Sequence, residues 1–229
     1  ICSDGGSCIL VSHLGRPNGF QDDFSMKKII DSVEKVLGKK VLLSNDVIGE
    51  DSVLKASNLK PRQVLLLENV RFHKEETEGD HNFAKQLSQL GDCYVNDAFG
   101  TAHRAHASTT IISKFFTNKF FGKLLEKEVL AIKKVMSSGQ KPILAILGGA
   151  KISSKIPILK NIIKIVDDII IGGGMSFTFS KALGGNIGKS ICEDSMIDIC
   201  RDILKSAEKN NVKIHLPLDA ICSLDFDNN

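Results

Sequence analysis

Residues 143–155 have the sequence ILAILGGAKISSK, which contains an apolar run, two glycines and the start of an amphipathic segment. An apolar run of five residues that ends at glycine is typical of a buried β-strand. Apolar residues then recur at helical spacing over residues 152–166, and a second apolar run follows at residues 169–171. Continuously apolar strands separated by amphipathic helices indicate a parallel sheet covered by helices.

The same alternation extends in both directions from this stretch. Further strands are predicted at residues 8–12, 41–43, 64–67, 93–95 and 212–216. Helices are predicted at residues 26–37, 51–57, 83–90, 175–183 and 196–207, and Gly91 has the character of a helix C-cap. A charged amphipathic segment at residues 122–136 separates the two runs of alternation. We therefore predict an α/β fold made of two Rossmann-like, three-layer units with parallel sheets, joined by an interdomain helix.

The composition narrows the class of protein. Of the 229 residues, 42% are hydrophobic, and 30 basic against 27 acidic residues leave a net charge of +3. This apolar content excludes a disordered chain, and the balanced charge gives no reason to expect nucleic acid or a membrane surface as a partner. No apolar run reaches the roughly 18 residues of a transmembrane helix. The six cysteines form no C-x-x-C pair or zinc spacing, so we expect reduced thiols, a cytoplasmic protein and no structural metal.

Arginines follow three of the predicted strands of the first unit. Arg16, Arg71 and Arg104 come shortly after the first, third and fourth strands. Because the carboxyl ends of parallel strands lie at one edge of a sheet, we expect the three guanidinium groups to converge there. A guanidinium is a planar fork of donors that matches phosphate and carboxylate oxygens, and nearby histidines add further donors: His13, His103 and His106. We predict an anion site, although one such arginine alone is more often simply solvated.

Two turns of the strand–glycine–helix type mark the second unit. In the first, Gly148 and Gly149 precede Lys151 and Lys155, which lie one helical turn apart. Paired glycines let main-chain N–H groups approach a phosphate at the start of the helix. Positive charges are unfavourable at a helix N-terminus, so a bound anion there would offset the charges of the two lysines. This is not a Walker A loop, and solvated lysines are the alternative. The second turn, residues 172–174, lacks the third glycine of a dinucleotide fingerprint and is a weak nucleotide signal.

An anion site on one unit and a phosphate-binding turn on the other predict phosphoryl transfer across a cleft. That reaction depends on positioning and on charge neutralisation more than on covalent chemistry by the protein. The linking helix would then serve as a hinge.

Five blocks of the sequence closely resemble phosphoglycerate kinases. They are SHLGRPNG at residues 12–19, LLLENVRFH at 65–73, YVNDAFGTAHRAHA at 94–107, LAILGGAKISSK at 144–155 and IIGGGMSFTF at 170–179. The resemblance covers essentially all 229 residues, and residues 74–80 look like the compact, bacterial-type version of the family. It implies a two-domain glycolytic enzyme that transfers a phosphoryl group reversibly between 1,3-bisphosphoglycerate and MgADP, giving 3-phosphoglycerate and MgATP.

The resemblance also implies roles for individual residues. Lys151, Arg16 and Arg104 are expected to be catalytic, with Lys151 neutralising the phosphoryl group during its transfer. The implied phosphoglycerate-binding residues are His13, Leu14, Gly15, Arg16, Arg71 and Arg104. The implied nucleotide-binding residues are Gly149, Ala150, Lys151, Lys155, Gly172, Gly173 and Gly174, of which the last three lie against the adenine.

The same resemblance implies a role for each domain. Residues 1–121 would be the phosphoglycerate-binding domain without its first strand, 122–137 the hinge helix, and 138–229 part of the nucleotide-binding domain. Both units are then incomplete, and we expect an internal fragment that is inactive by itself. The family's magnesium ligand falls in a later segment, so no metal ligand is assigned here and Mg²⁺ is expected to arrive with ATP or ADP. Ser154 stands where the family usually has an aspartate, and the family's habit implies a monomer.

Two other functions stay open at this point. A chain that is complete as it stands would be a non-catalytic module that binds phosphoglycerate without turnover. A nicotinamide-dependent dehydrogenase would depend on the glycine turns alone, and the missing third glycine speaks against it.

Overall fold

The structure of the chain, a computed structural model, describes residues 1–138, 140–221 and 223. Cys222 and the terminal residues 227–229, which bear on the predictions about thiols and chain ends, lie outside the described residues. The chain divides into two units, Ile1–Leu130 and Ala131–Asn229.

The first unit contains two parallel sheets. Its strands are β1 (Cys8–Leu10), β2 (Leu42–Leu43), β3 (Val64–Leu66), β4 (Tyr94–Asn96) and β5 (Lys119–Phe121). One sheet has the order β1–β3–β2, and the other pairs β4 with β5. The fourth predicted strand therefore does not join the sheet that the sequence pattern suggested. Its partner is β5, a short strand that was not predicted.

Helices cover both faces of the three-stranded sheet. They are α1 (Ile30–Leu37), α2 (Glu50–Ser57), α3 (Lys74–Glu78) and α4 (His81–Ser88). Alternate residues of β3 point to opposite faces, so Leu65 packs with Phe83 and Leu87 of α4 while Leu66 packs with Met26 and Val41. The prediction that Gly91 caps α4 was wrong, because the helix ends at Ser88 with Gln89 as its C-cap.

A long helix, α5 (Lys123–Ser138), begins in the first unit, and the boundary between the units falls within it. Its first turn is fixed by Asp97, whose Oδ1 accepts a hydrogen bond of 2.8 Å from the N–H of Leu125. A side-chain acceptor at that position satisfies one of the unpaired N–H groups of the helix N-terminus.

The second unit has one parallel sheet with the order β6–β7–β8. Its elements are β6 (Leu144–Gly148), α6 (Ile156–Ile162), β7 (Asp168–Gly172), α7 (Met175–Ala182), α8 (Ile197–Lys209) and β8 (Lys213–His215). Ile169 and Ile171 are buried against Phe179 of α7 and Ile203 of α8. The helix predicted over residues 152–166 is shorter than expected, because a 3₁₀ turn at Ser153–Lys155 precedes α6 and Pro157 starts its first turn.

The helices of the second unit cover one face of its sheet. On the other face the side chains of Leu144 and Ile146 remain 51% and 72% exposed. The predicted class, α/β with parallel sheets in two units, is confirmed. Among the described residues, no helix has both the length and the apolar character that crossing a membrane requires.

Candidate functional site

An open cavity of about 570 Å³ lies in the first unit, where three arginines meet. We call it the arginine cavity. Its lining consists of Arg16, Pro17, Asn18, Gly19, Arg71, Phe72, His73, Lys74, Glu75, Thr77, Arg104 and His106. Arg16 lies after β1, Arg71 lies in a 3₁₀ turn after β3 (Val70–Phe72), and Arg104 lies in the loop after β4.

Asn69 holds the two loops that follow β1 and β3 in place. Its side chain is fully buried, and its Nδ2 donates to the carbonyl oxygens of Leu14 and Phe24 at 2.8 Å each. Its Oδ1 accepts from the N–H of Arg71 at 3.0 Å. A buried amide whose donors and acceptor are all hydrogen-bonded has little freedom to move. The main chain of Arg71 is therefore fixed relative to the loop after β1, which contains Leu14.

The neighbouring residue Glu68 fixes the same loop further along. The residue is 3% exposed, and its carboxylate accepts from Ser25 Oγ at 2.6 Å and from the N–H of Met26 at 2.7 Å. The segment between Leu14 and Met26 is therefore attached to the end of β3 at both of its ends. Arg16 lies in that segment.

The electrostatic surroundings reflect the closeness of the arginines. Burial, followed by the positive charges of Arg104 and Arg16, lowers the pKa of Arg71. Desolvation and the charges of Arg71 and Arg104 lower the pKa of His13. Burial likewise lowers the pKa of His106, although the nearby Glu76 acts in the opposite direction. A cluster of cations that lower one another's pKa values is a site where a bound anion relieves repulsion.

The predicted phosphoglycerate-binding residues divide into two groups. Arg16, Arg71 and Arg104 line the arginine cavity, whereas His13, Leu14 and Gly15 are not among its lining residues. Leu14 and Gly15 instead supply carbonyl oxygens that accept hydrogen bonds from Asn69 and Arg71.

Sequence reasoning missed two basic residues of the lining, His73 and Lys74. His73 Nε2 lies 2.9 Å from Oδ1 of Asp46, which orients the ring. Both residues follow Arg71 closely in the chain, and this proximity was the available signal.

In the second unit, the two predicted glycine turns lie against each other. We call them the glycine–lysine turn, residues 148–155, and the second glycine turn, residues 172–174. Gly148 and Gly172 are register partners of β6 and β7, and the N–H of Met175 donates to the carbonyl of Gly149 at 2.8 Å. Gly173 has φ +68°, and a Cβ there would lie 3.0 Å from the oxygen of Gly149. Only glycine permits this close approach without strain.

The two lysines follow the paired glycines of the glycine–lysine turn. Lys151 is exposed, and Lys155 is half-buried with its N–H bonded to the carbonyl of Ile152 at 2.7 Å. The hydroxyl of Ser154 donates to the carbonyl of Lys151 at 3.3 Å. Ser154, which stands where the family usually has an aspartate, therefore forms its hydrogen bond within the glycine–lysine turn itself.

A carboxylate already occupies part of the helix start that was predicted to hold an anion. Glu193 accepts from the N–H of Ser153 at 3.0 Å and from its hydroxyl at 2.7 Å. These two bonds hold the pKa of Glu193 below its usual range. An anion beside Lys151 and Lys155 would consequently use the lysine side chains and the glycine N–H groups, not the N–H of Ser153.

A second cavity of about 490 Å³ lies on the open face of this sheet and is mostly apolar. Its lining includes Leu144, Ile170 and Gly172, together with an Asp168–His215 pair that is 2.6 Å apart. Within residues 1–138, 140–221 and 223, no group of three or more His, Cys, Asp or Glu side chains has the arrangement of a metal site.

Parallel α/β units of this kind, one with an arginine cavity and one with a glycine–lysine turn, are typical of proteins that bind small phosphorylated molecules. Comparison with known proteins defines the group more closely. The profile of the family described as phosphoglycerate kinase matches residues 1–229. The chain belongs to the phosphoglycerate kinase family.

Individual relatives agree with this assignment. The chain is 49% identical over 221 residues to a phosphoglycerate kinase of Dictyoglomus turgidum, covering 96% of this chain and 56% of that protein. It is 45% identical over 254 residues to one of Porphyromonas gingivalis, covering 100% of this chain and 60% of that protein. The crystal structure of phosphoglycerate kinase from Pyrococcus horikoshii matches with a TM-score of 0.72 at 26% identity, over 92% of this chain and 53% of that one.

A further solved structure, phosphoglycerate kinase from Coxiella burnetii, matches with a TM-score of 0.75 at 37% identity. The match covers 95% of this chain and 55% of that one. The chain thus spans somewhat more than half the length of the relatives it matches.

Proposed function

We propose that this chain is the phosphoglycerate-binding part, with some of the nucleotide-binding part, of a glycolytic phosphoglycerate kinase. The reaction is reversible phosphoryl transfer between 1,3-bisphosphoglycerate and MgADP, giving 3-phosphoglycerate and MgATP. The observation that carries the proposal is the presence of Arg16, Arg71 and Arg104 in one cavity. Three guanidinium groups suit a three-carbon acid that bears both a carboxylate and a phosphate.

In the first unit, the arginines bind the phosphoglycerate and two of them act in catalysis. Arg16 and Arg104 neutralise the developing charge, and Arg71 holds the acid in place. His13 contributes a positive charge when an anion is bound, while Leu14 and Gly15 keep the loop in its shape. Preorganised cations of this kind stabilise a transferring phosphoryl group more than they stabilise free substrate.

In the second unit, the glycine–lysine turn binds the nucleotide. Lys151 neutralises the transferred phosphoryl group and Lys155 binds the nucleotide phosphates. Main-chain N–H groups of Gly149 and Ala150 approach the same phosphates, and the second glycine turn (Gly172, Gly173 and Gly174) lies against the adenine. Mg²⁺ enters as part of the MgADP or MgATP substrate.

The direct test of this function is an assay of ATP formation from 1,3-bisphosphoglycerate and MgADP. The protein that carries this chain at the length of its relatives is expected to form ATP, and the 229-residue chain alone is expected not to. Absence of ATP formation by the long protein would count decisively against the proposal. Lys151→Ala in the long protein is expected to reduce turnover strongly, whereas Lys85→Ala on the exposed side of α4 is expected to leave it unchanged.

A second candidate is a binding module that holds phosphoglycerate without turnover. It is favoured by the fact that all lining residues of the arginine cavity fall between Arg16 and His106, inside one unit. A rise in melting temperature of the 229-residue chain with 3-phosphoglycerate, together with no ATP formation by the long protein, would select this function.

The setting we propose is the cytoplasm, with the protein as a monomer. The cysteines of the described residues (Cys2, Cys8, Cys93, Cys192 and Cys200) are all free thiols. Free thiols suit a reducing compartment.

A further inference from the structure

Glu76 is a buried carboxylate beside a site lined with positive charge. It lies on α3, and only 3% of the residue is exposed. Burying a carboxylate is costly unless hydrogen bonds compensate it. A negative charge close to an anion site also opposes the binding of that anion. The hydrogen bonds of the Glu76 carboxylate to Ser108 offset the cost of burial.

The contacts of Glu76 are concentrated on the loop that carries Arg104. Its Oε2 accepts from the N–H of Ser108 at 2.9 Å, and its Oε1 accepts from the hydroxyl of Ser108 at 2.7 Å. Its main-chain carbonyl accepts from the N–H of Ala107 at 2.9 Å. Nδ1 of His106 lies 3.7 Å from Oε1. One residue thus contacts three consecutive residues of the loop.

The next residues of that loop form hydrogen bonds to the main chain of Arg104. The carbonyl oxygen of Arg104 accepts from the hydroxyls of Thr109 and Thr110 at 3.2 and 2.7 Å. The residues that hold the Arg104 main chain therefore adjoin the residues that Glu76 holds. This matters because β4, the strand before this loop, is not part of the sheet that carries Arg16 and Arg71. Glu76 supplies a connection between the two parts of the cavity that the sheets do not supply.

We propose that Glu76 is a positioning residue for the arginine cavity. It holds Arg104 and His106 in place, although its negative charge opposes the binding of an anion. This inference rests on the proposed function, because the ligand used to test it is 3-phosphoglycerate. Glu76 does not touch the ligand; it acts through Ser108 and Ala107.

The substitution Glu76→Gln separates positioning from simple electrostatics, because the two predict opposite directions. Loss of a negative charge near an anion site would by itself strengthen binding. Loss of one acceptor to Ser108 would loosen the loop and weaken binding. We expect the Kd for 3-phosphoglycerate to rise about tenfold in the 229-residue chain, the change typical of a lost hydrogen bond to a charged group.

The matched control is Glu78→Gln, which removes the same charge from the exposed side of the same helix. It is expected to leave the Kd unchanged. If Glu76→Gln does not fold, Ser108→Ala removes only the bond to the hydroxyl and is expected to raise the Kd a few-fold.

A second measurement tests the positioning role in the ligand-free chain. Hydrogen exchange of the Ser108 amide is expected to be faster in Glu76→Gln than in the parent chain. The pKa of His106, followed by NMR, is expected to fall further, since the Glu76 charge is what raises it against the effects of burial and of Arg104, Arg71 and His103. The fall in the His106 pKa follows from the lost charge and verifies that contact, whereas unchanged exchange of the Ser108 amide would contradict the positioning role.

The outcomes separate this inference from the proposed function. An equal or lower Kd in Glu76→Gln, with the Ser108 amide still protected, overturns the positioning role. Absence of binding by the parent chain contradicts the proposed function instead. In that case exchange of the Ser108 amide alone decides whether Glu76 holds the loop.

Discussion

Nη1 of Arg71 donates a hydrogen bond of 2.9 Å to the carbonyl oxygen of Gly15, 56 positions earlier in the chain. This bond joins the loop after β3 to the loop after β1. Gly15 has φ +64°, and a Cβ at this position would lie 2.3 Å from the Phe24 ring, so the turn requires glycine. Arg71 consequently shapes the arginine cavity as well as contributing charge to it.

We expect Arg71→Lys to weaken binding of 3-phosphoglycerate by at least about tenfold, although the charge is kept. Lysine lacks the planar fork that can bind Gly15 and an anion together. Isothermal titration of the 229-residue chain measures the change. Arg62→Lys, an exposed substitution of the same kind in the same unit, is the control and is expected to bind as the parent chain does. Equal affinity of the Arg71 variant would show that the fork is not needed.

Asn69→Ala is expected to lower the free energy of unfolding by about 2–4 kcal/mol. The substitution removes the hydrogen bonds to Leu14, Phe24 and Arg71 from a fully buried position and leaves their partners unpaired. Urea unfolding of the chain measures the effect. Asn82→Ala, on the exposed first turn of α4, is expected to cost little. A similar cost for the two variants would argue that Asn69 does not hold the two loops in place.

Sulfate binding is expected to weaken as the pH rises from about 5.5 to 7.5, because the bound anion favours the charged form of His13 and His106. The pKa values of both histidines lie below their ordinary value in the free protein, so binding takes up protons. The charge of sulfate is constant over this range, unlike that of a phosphate ester. Titration calorimetry in buffers of different ionisation enthalpy measures the uptake, and a pH-independent affinity would contradict it.

The same lowered pKa values affect stability without ligand. The unfolded chain binds more protons at these histidines than the folded chain does. Stability is therefore retained above about pH 6.5 and lost as the pH falls through the window between the unfolded and the folded pKa. The double variant His13→Gln with His106→Gln serves as the control and should lose both the proton uptake and this part of the stability change.

Gly173→Ala is expected to destabilise the second unit by about 1–3 kcal/mol. Its left-handed φ penalises any Cβ, and the added atom would also press on the carbonyl of Gly149. Gly172→Ala is the matched comparison for stability, because a Cβ at Gly172 would meet no atom within 4 Å. Thermal unfolding of the two variants gives the difference, and equal melting temperatures would contradict the close packing of the two turns.

Much of the fold could be predicted because hydrophobic periodicity fixes where buried strands and amphipathic helices lie. The strand at residues 64–67 is an example, since its alternating side chains fill the cores on both faces of its sheet. Less could be predicted where the deciding contact is short or distant in sequence. β5 has only three exposed residues and pairs with a strand more than twenty residues away. Their sequence pattern does not indicate that pairing.

The arginine cavity was predicted for a reason that was only partly right. Arg16 and Arg71 follow strands of one parallel sheet, as expected, but Arg104 follows a strand of another. Its place in the cavity depends on the loop contacts of Glu76, 32 positions away from Ser108. In the second unit, the capping of Ser153 by Glu193 is likewise a contact over 40 positions. Local patterns carry no information about such pairs.

The most direct test of the central claim is titration of 3-phosphoglycerate into the 229-residue chain and its Arg104→Ala and Lys85→Ala variants. We predict saturable binding to one site, at least about tenfold weaker for Arg104→Ala through loss of a charge-assisted contact. Lys85→Ala removes an exposed positive charge from the same unit and is predicted to bind normally. Absence of binding by the parent chain, or the same affinity with and without the Arg104 guanidinium, would contradict the claim that the three arginines form the phosphoglycerate site.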